Sequence, residues 1–283
     1  MPVTFRRRRS LAATGLALSL AAAVTGCARE DNSGTSEEHP EVSLVEAGQL
    51  TVCTSLPYPP FEFEQSGEVV GFDIALLDLV AEELGVDLEI IDTPFEGIQS
   101  GQDLNNERCD VAAAAMTITE EREAVLDFSD GYFDANQAML VPADSPYTSL
   151  ADVAGQRVGV QAGTTGEMYV TEQNEAQGLD LDIVTYEDPA TQQQALANGD
   201  IAAAVNDLPV WADFVDDNPD FIIGAEFDTG EEYGFAVRTG NSALLDVIND
   251  VLQQAREDGT YDEIYEEWIG QAPSASSPSP SAS

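Results

Sequence analysis

Residues 112–122, AAAAMTITEER, carry the side chains best suited to chemistry in this chain. A run of small residues leads to Thr117, Thr119 and a helix start at Glu120, with Arg122 one turn in. Hydroxyls, orphan backbone N–H groups and a guanidinium converge there, and that is the donor set that holds a small carboxylate. Thr119 is placed to cap the helix, and Thr117 lies on the approach to it. A cation in a first helical turn is opposed by the helix dipole unless an anion sits against it. The alternative for Arg122 is a salt bridge to one of the many acids.

A second donor-rich turn lies at QAGTTGE, where Gly163 frees the backbone and Thr164, Thr165 and Gly166 present N–H groups and hydroxyls at a helix start. The same residues also make an ordinary capped turn. Asp207, after the apolar strand IAAAV, is placed either to receive an ammonium by a charge-assisted hydrogen bond or to cap the segment that begins at Pro209. Tyr58 in SLPYPPFEF and Phe95 in DTPFEG stand in proline-stiffened loops after strands. There, aromatic rings clamp an apolar stem, attract a cation, or plug the core. A carboxylate seat and a lone acid together suit a small zwitterion.

The elements that must position these residues follow a strand–helix alternation from Leu50. LTVCTS reads as a strand and GFDIALLDLVAEELG as a helix, with Leu77, Val80, Ala81 and Leu84 on one stripe and Gly85 closing it. VDLEII alternates as the next strand. This order implies parallel sheets with helices on both faces and ligands beyond the carboxyl ends of the strands. LNNERCDVAAAAMT and ALANGDIAAAVND echo each other: a helix end, a turn with an Asp, a small-residue strand, then a polar cluster. Two such lobes facing across a cleft would bring both clusters together.

Composition narrows the partners. All ten cations are arginine; four lie in Arg6–Arg9, leaving six against 53 acids and a net charge of −47 on the remainder. Such a surface repels nucleic acid and anionic lipid, and it suits a saline habitat, where like-charge repulsion is screened. Arg6–Arg9, the apolar run Leu11–Val24 and VTGC form a signal peptide over residues 1–26, because about 20 apolar residues are needed to span a bilayer. Cys27 directly after Gly26 makes it resemble a bacterial lipoprotein signal, with Cys27 the lipid-modified first residue. Residues 27–48 read as a flexible acidic tether and 271–283 as a disordered Ser/Pro tail. His39, the only histidine, sits in the tether and is expected to be inert. Cys53 and Cys109 are expected as free thiols: in adjacent parallel strands their offset, at about 3.3 Å per residue, exceeds the reach of a disulfide. One histidine and one cysteine pair assemble neither a metal site nor a Cys/His nucleophile, and no cofactor is expected.

The motifs YPPFEF, GFDIALLDLVAEEL, CDVAAAAMTITEER, LDFSDGYF, RVGVQAGTT, YGFAVRTGN and DGTYDEIYEEW, in this order across residues 49–270, resemble the family 3 extracellular solute-binding proteins, the polar amino-acid receptors of bacterial ATP-binding-cassette importers. The resemblance implies an α/β, two-lobed periplasmic-binding-protein-like fold of type II: two parallel-sheet lobes joined by two hinge strands. Lobe 1 would be 49–137 plus 234–270, and lobe 2 would be 138–233. It also implies that Arg122, Thr117 and Thr165 hold an α-carboxylate. Asp207 and the main-chain carbonyl of Ala115 would hold an α-ammonium, with Tyr58 and Phe95 as the aromatic pair. Ser55 stands where many members carry an Asp that reads the ligand side chain, which implies a neutral side chain.

The implied protein is a non-enzymatic, lipid-anchored monomer on the extracellular face of the cell membrane that passes a small zwitterion to a membrane permease. Two alternatives share the fold. One is a receptor for a compatible solute such as ectoine; the other is a cyclohexadienyl-dehydratase-like enzyme with Glu62 or Glu96 as general acid.

Overall fold

The computed structural model describes residues 34–35, 39 and 41–270. The signal segment, Cys27, half of the expected tether and the Ser/Pro tail lie outside the described residues. A short antiparallel pair, β1 (Gly34–Thr35) with β2 (Ser43–Leu44), precedes the first long strand, β3 (Gln49–Thr54). The hairpin β4 (Phe63–Gln65) and β5 (Glu68–Val70) then leads into α1 (Phe72–Leu84). Leu77, Val80, Ala81 and Leu84 of α1 are buried as their spacing requires, and Gly85 ends the helix with a left-handed φ of 66°. Gly71, which starts it, is needed for space: a Cβ there would lie 2.1 Å from the Phe61 carbonyl oxygen.

The chain continues through β6 (Asp87–Asp92), α2 (Phe95–Gln99), α3 (Gln102–Asn105), β7 (Val111–Ala112), α4 (Glu120–Glu123) and β8 (Leu126–Phe128). It crosses into a second sheet by β9 (Phe133–Pro142) and builds β10 (Arg157–Gln161), α5 (Thr165–Gln177), β11 (Asp182–Tyr186), α6 (Pro189–Ala197), β12 (Ala203–Asp207) and α7 (Leu208–Asp217). It returns by β13 (Phe221–Tyr233) to β14 (Ala236–Arg238), α8 (Ser242–Asp258) and α9 (Thr260–Trp268). The first sheet has the order β6-β3-β7-β14-β8 and the second β11-β10-β12-β9-β13. Two sheet lobes are therefore present, each mixed rather than purely parallel. β3 and β10 pair parallel with both neighbours, whereas β14 and β9 run antiparallel because they carry the crossings between the lobes.

The internal echo has a topological meaning, since β7 and β12 are each the third strand of their sheet, parallel to one neighbour and antiparallel to the other. At the crossing, Phe133 and Tyr233 pair across β9 and β13 and stack with ring centroids 5.6 Å apart. Phe61, Phe72, Tyr132 and Phe235 pack around them, which anchors the crossing in the main core. The expected lobe boundary at 137/138 falls inside β9.

Two expectations are corrected. Cys53 and Cys109 form a disulfide, with Cα atoms 5.7 Å apart. The strand offset does not apply, because β7 begins only at Val111; Cys109 lies in the bend before it and comes back over β3. The tether ends before residue 48: Val42 and Leu44 are buried in the main core, and the buried Asp110 carboxylate accepts from Val45 N at 2.6 Å as well as from Thr51 N at 2.9 Å. Apolar burial holds this segment against the first lobe. His39 is likewise engaged, with its ring nitrogens 3.2 Å from Glu41 and Glu83 carboxylate oxygens.

Candidate functional site

The structure brings the seven residues expected at the site, Tyr58, Phe95, Ala115, Thr117, Arg122, Thr165 and Asp207, around one cleft of about 330 Å³ between the two sheets, its open mouth included. Thr119 caps α4 as expected, accepting from Arg122 N at 3.2 Å. α4 is only four residues long, so the helix dipole has little to do with the position of Arg122. The guanidinium is 4% exposed and has no carboxylate within 4.0 Å among the described residues. It donates instead to the carbonyls of Thr117 at 2.7 Å and Gly163 at 3.2 Å, and lies 5.3 Å from the centre of the Phe95 ring. Burial pulls its pKa down, against the charges of Asp207 and Glu231 that hold it up. A buried cation without a bound anion is costly, and this one faces the cleft.

Thr164 and Thr165 sit at the start of α5, with Thr164 as the cap that accepts from Glu167 N. The Gly163 N–H is taken by the Glu167 carboxylate at 2.7 Å, so that turn is already partly satisfied. Asp207 ends β12 at the cap position of α7, yet its side chain makes no cap hydrogen bond. It accepts from Tyr58 Oη at 2.7 Å, from Tyr233 Oη at 2.5 Å and from Gln137 Nε2. Burial first, and then the Glu231 charge, raise Asp207 to about 6. Tyr58 is therefore both wall and cross-lobe donor, its hydroxyl also reaching Asn206 Oδ1 at 2.9 Å.

Ala115 adopts a left-handed φ of 43°, costing of order 1 kcal/mol for a non-glycine residue. Asp73 holds it there by accepting the Ala115 N–H at 3.0 Å, with Tyr132 Oη on its other oxygen at 2.7 Å. The Ala115 carbonyl accepts no hydrogen bond from the described residues. Asp73, in the GFD of the helix signature, thus shapes the cleft from behind.

Sequence reading missed three contributors and named a fourth, Glu62, only as a candidate general acid. Ser55 lines the cleft, but Glu62, from the same loop, supplies the carboxyl that Ser55 lacks. Glu62 is fully buried, and neither of its carboxyl oxygens has a well-formed hydrogen bond among the described residues. Burial, and then the neighbouring Asp73 charge, push it well above the usual carboxylate range. A carboxyl therefore lines the cleft although position 55 is a serine. Glu96, the other candidate acid, is exposed and does not line the cleft. Gln137, Tyr233 and Glu231 enter from the crossing strands β9 and β13. In the sequence Gln137 is a polar letter interrupting the apolar run of β9, Glu231 lies just before YGFAVRTGN, and Tyr233 is the first letter of that motif.

Residues 50–271 match the family model described as bacterial extracellular solute-binding proteins, family 3. A probable histidine-binding protein of Neisseria gonorrhoeae is 34% identical over 225 residues, covering 77% of this chain and 82% of that protein. A putative ABC transporter arginine-binding protein 2 of Escherichia coli K12 is 30% identical over 234 residues, covering 81% and 93%. Among solved structures, an ancestral arginine-binding protein bound to arginine superposes with a TM-score of 0.74 at 41% identity, covering 79% of this chain and 99% of that one.

Proposed function

We propose, for a chain that belongs to the bacterial extracellular solute-binding proteins of family 3, that it captures a free amino acid with a nitrogen-bearing side chain and presents it to the permease of an ATP-binding-cassette importer. The family is one of amino-acid-binding proteins of such transporters. One observation carries the reading: a buried, carboxylate-free Arg122 and a buried Asp207 face a single cleft from different sheets. A zwitterion satisfies both, its carboxylate at Arg122 and its ammonium at Asp207 and the Ala115 carbonyl. Tyr58 and Phe95 flank the stem. Glu62 lines the same cleft, and a guanidinium or imidazole brought against it would return its carboxyl toward the ionised form, in keeping with the ligands named for the relatives above.

Binding drives closure, because the ligand touches residues of both lobes at once and so favours the closed state by contacts that the open state lacks. No bond is made or broken. Cys27, outside the described residues, is the proposed lipid-modified first residue; Cys27→Ala should move the protein from the membrane fraction into the medium.

A thermal-shift and calorimetry screen over the twenty amino acids, ectoine and prephenate tests the reading. L-Arginine or L-histidine should raise the melting temperature and give one saturable site. Ectoine alone would favour the compatible-solute reading, and turnover of prephenate the enzymatic one.

A further inference from the structure

The two crossing strands do not run unbroken from lobe to lobe. β13 pairs with β9 in two stretches, Glu231 to Tyr233 against Ala135 to Phe133, and Phe221 to Phe227 against Pro142 to Gln137. Between the stretches Asn136 alone stands opposite Asp228, Thr229 and Gly230, so β13 carries two residues more than β9 at this level. Each stretch is fixed to a different sheet. On one side Tyr132 N donates to the Tyr233 carbonyl at 2.8 Å, Ile118 N to the Glu232 carbonyl at 2.9 Å and Gly234 N to the Met116 carbonyl at 3.1 Å, while the rings of Phe133 and Tyr233 pack on Phe61. On the other side Gln137 to Leu140 pair with Asp207 to Ala204 of β12. At the break both crossings leave their ladders together. One side chain clasps it: Asn136 Oδ1 accepts from Thr229 N at 3.1 Å and from Gly230 N at 3.3 Å. Both partners are donors, which fixes the amide with its oxygen toward the bulge. Gly230 turns the chain there with a left-handed φ of 62°, a conformation glycine adopts without strain.

We propose that the lobes pivot at this break, and that Asn136 is a positioning residue whose amide holds the bulge in the closed setting. The proposal rests on the reading above, in which binding closes the lobes. In the structure the lobes touch across the cleft, with Arg122 Nη2 on the Gly163 carbonyl and Tyr58 Oη on Asp207. A rotation that parts these pairs but spares the Phe133–Tyr233 stack and the β9–β12 ladder has to change backbone dihedrals between the two. Hinge motion is absorbed by a few residues at such interruptions, and a bulge already bends and twists its strand. The clasp therefore acts on the balance of open and closed protein and not through the ligand, since Asn136 is not among the residues that line the cleft.

Small-angle X-ray scattering and stopped-flow binding of L-arginine test this on the mature chain, at high salt to screen the neighbouring acids. Asn136→Ala frees two N–H groups. It should raise the ligand-free radius of gyration, speed L-arginine dissociation by about tenfold, the scale of one or two net hydrogen bonds, and leave the radius of the arginine-bound protein unchanged. Asn136→Asp keeps an oxygen for both donors and should restore the wild-type values. Deleting Thr229 and Gly230 together makes the two strands equal in length and keeps every side chain on its face, because the strand period is two. The ligand-free and arginine-bound forms of that variant should then have the same radius. Wild-type radius and dissociation rate in Asn136→Ala overturn the proposal, as does a deletion variant that contracts on binding as far as wild type does. If the deletion variant fails to fold, the two Asn136 variants decide. If L-arginine binds none of these proteins, the amino-acid reading fails on its own, and the ligand-free radius of Asn136→Ala against wild type still decides the pivot.

Discussion

Acidification is the perturbation that most directly interrogates Asp207. In the ligand-free protein burial raises this carboxyl to about 6. An ammonium seated against it favours the ionised form and returns the pKa toward the ordinary value of about 3.9. Binding is therefore linked to proton release below about pH 6, and affinity falls as pH falls through that value. At pH 7.5 nearly all of the free protein has Asp207 ionised, whereas at pH 5 about one part in eleven does. The apparent dissociation constant for L-arginine, whose side chain does not titrate in this range, should thus rise roughly tenfold, about 1.4 kcal/mol, between these pH values. Glu62 is also raised, and Asp73 is raised to about 7, so both add their own slope. Asp207→Asn isolates the effect: it keeps the shape, binds more weakly, and retains only the slope due to the other two. Calorimetry in two buffers of different ionisation enthalpy reads the released proton directly, about half a proton at pH 6. Parallel loss of affinity in wild type and Asp207→Asn, or tighter wild-type binding at pH 5, would refute the assignment of Asp207 to the ammonium.

Arg122→Ala removes one partner of a buried charge pair and should weaken amino-acid binding by about 2–5 kcal/mol, roughly 30-fold to a few thousand-fold. Its ligand-free melting temperature should stay close to wild type, since the lost hydrogen bonds to two carbonyls are offset by removal of a buried, unpaired cation; wild-type affinity would show the residue to be structural. The disulfide closes a loop with a sequence separation of 56. Cys53→Ser with Cys109→Ser should cost roughly 4 kcal/mol on the chain-entropy estimate, seen as a lower urea midpoint, and an unchanged midpoint would count against the bond. A chain that begins at Gln49 rather than Glu41 exposes the sites of Val42 and Leu44, each worth about 1.5–3 kcal/mol when fully buried. It should unfold at lower denaturant while still binding ligand, and equal stability of the two chains would show that residues 41–48 are an ornament of the first lobe.

What the letters determined by themselves was local. The stripe Leu77, Val80, Ala81, Leu84 and the terminal Gly85 specify α1 because helical periodicity and a left-handed cap act over neighbouring residues. The cap at Thr119 and the small-residue strands ahead of Thr117 and Asp207 are legible for the same short-range reason. Donor chemistry named Arg122, Thr165 and Asp207 before any geometry was available, and the motif order named the family. Tertiary structure decided what depends on register and on chain paths distant in sequence. The Cys53–Cys109 bond forms because the chain bends before a two-residue β7, a detail that strand spacing cannot supply. Burial of Val42 and Leu44 depends on a surface that the first lobe creates only once folded. Gln137, Glu231 and Tyr233 reach the cleft because β9 and β13 pair side by side at the crossing, with irregular register between Phe227 and Glu231. The carboxylate that meets the Thr117 and Thr165 hydroxyls arrives from that strand, more than sixty residues away from Thr165 and more than a hundred from Thr117. Residue type fixes how many protons a group offers; only the folded chain fixes where they point.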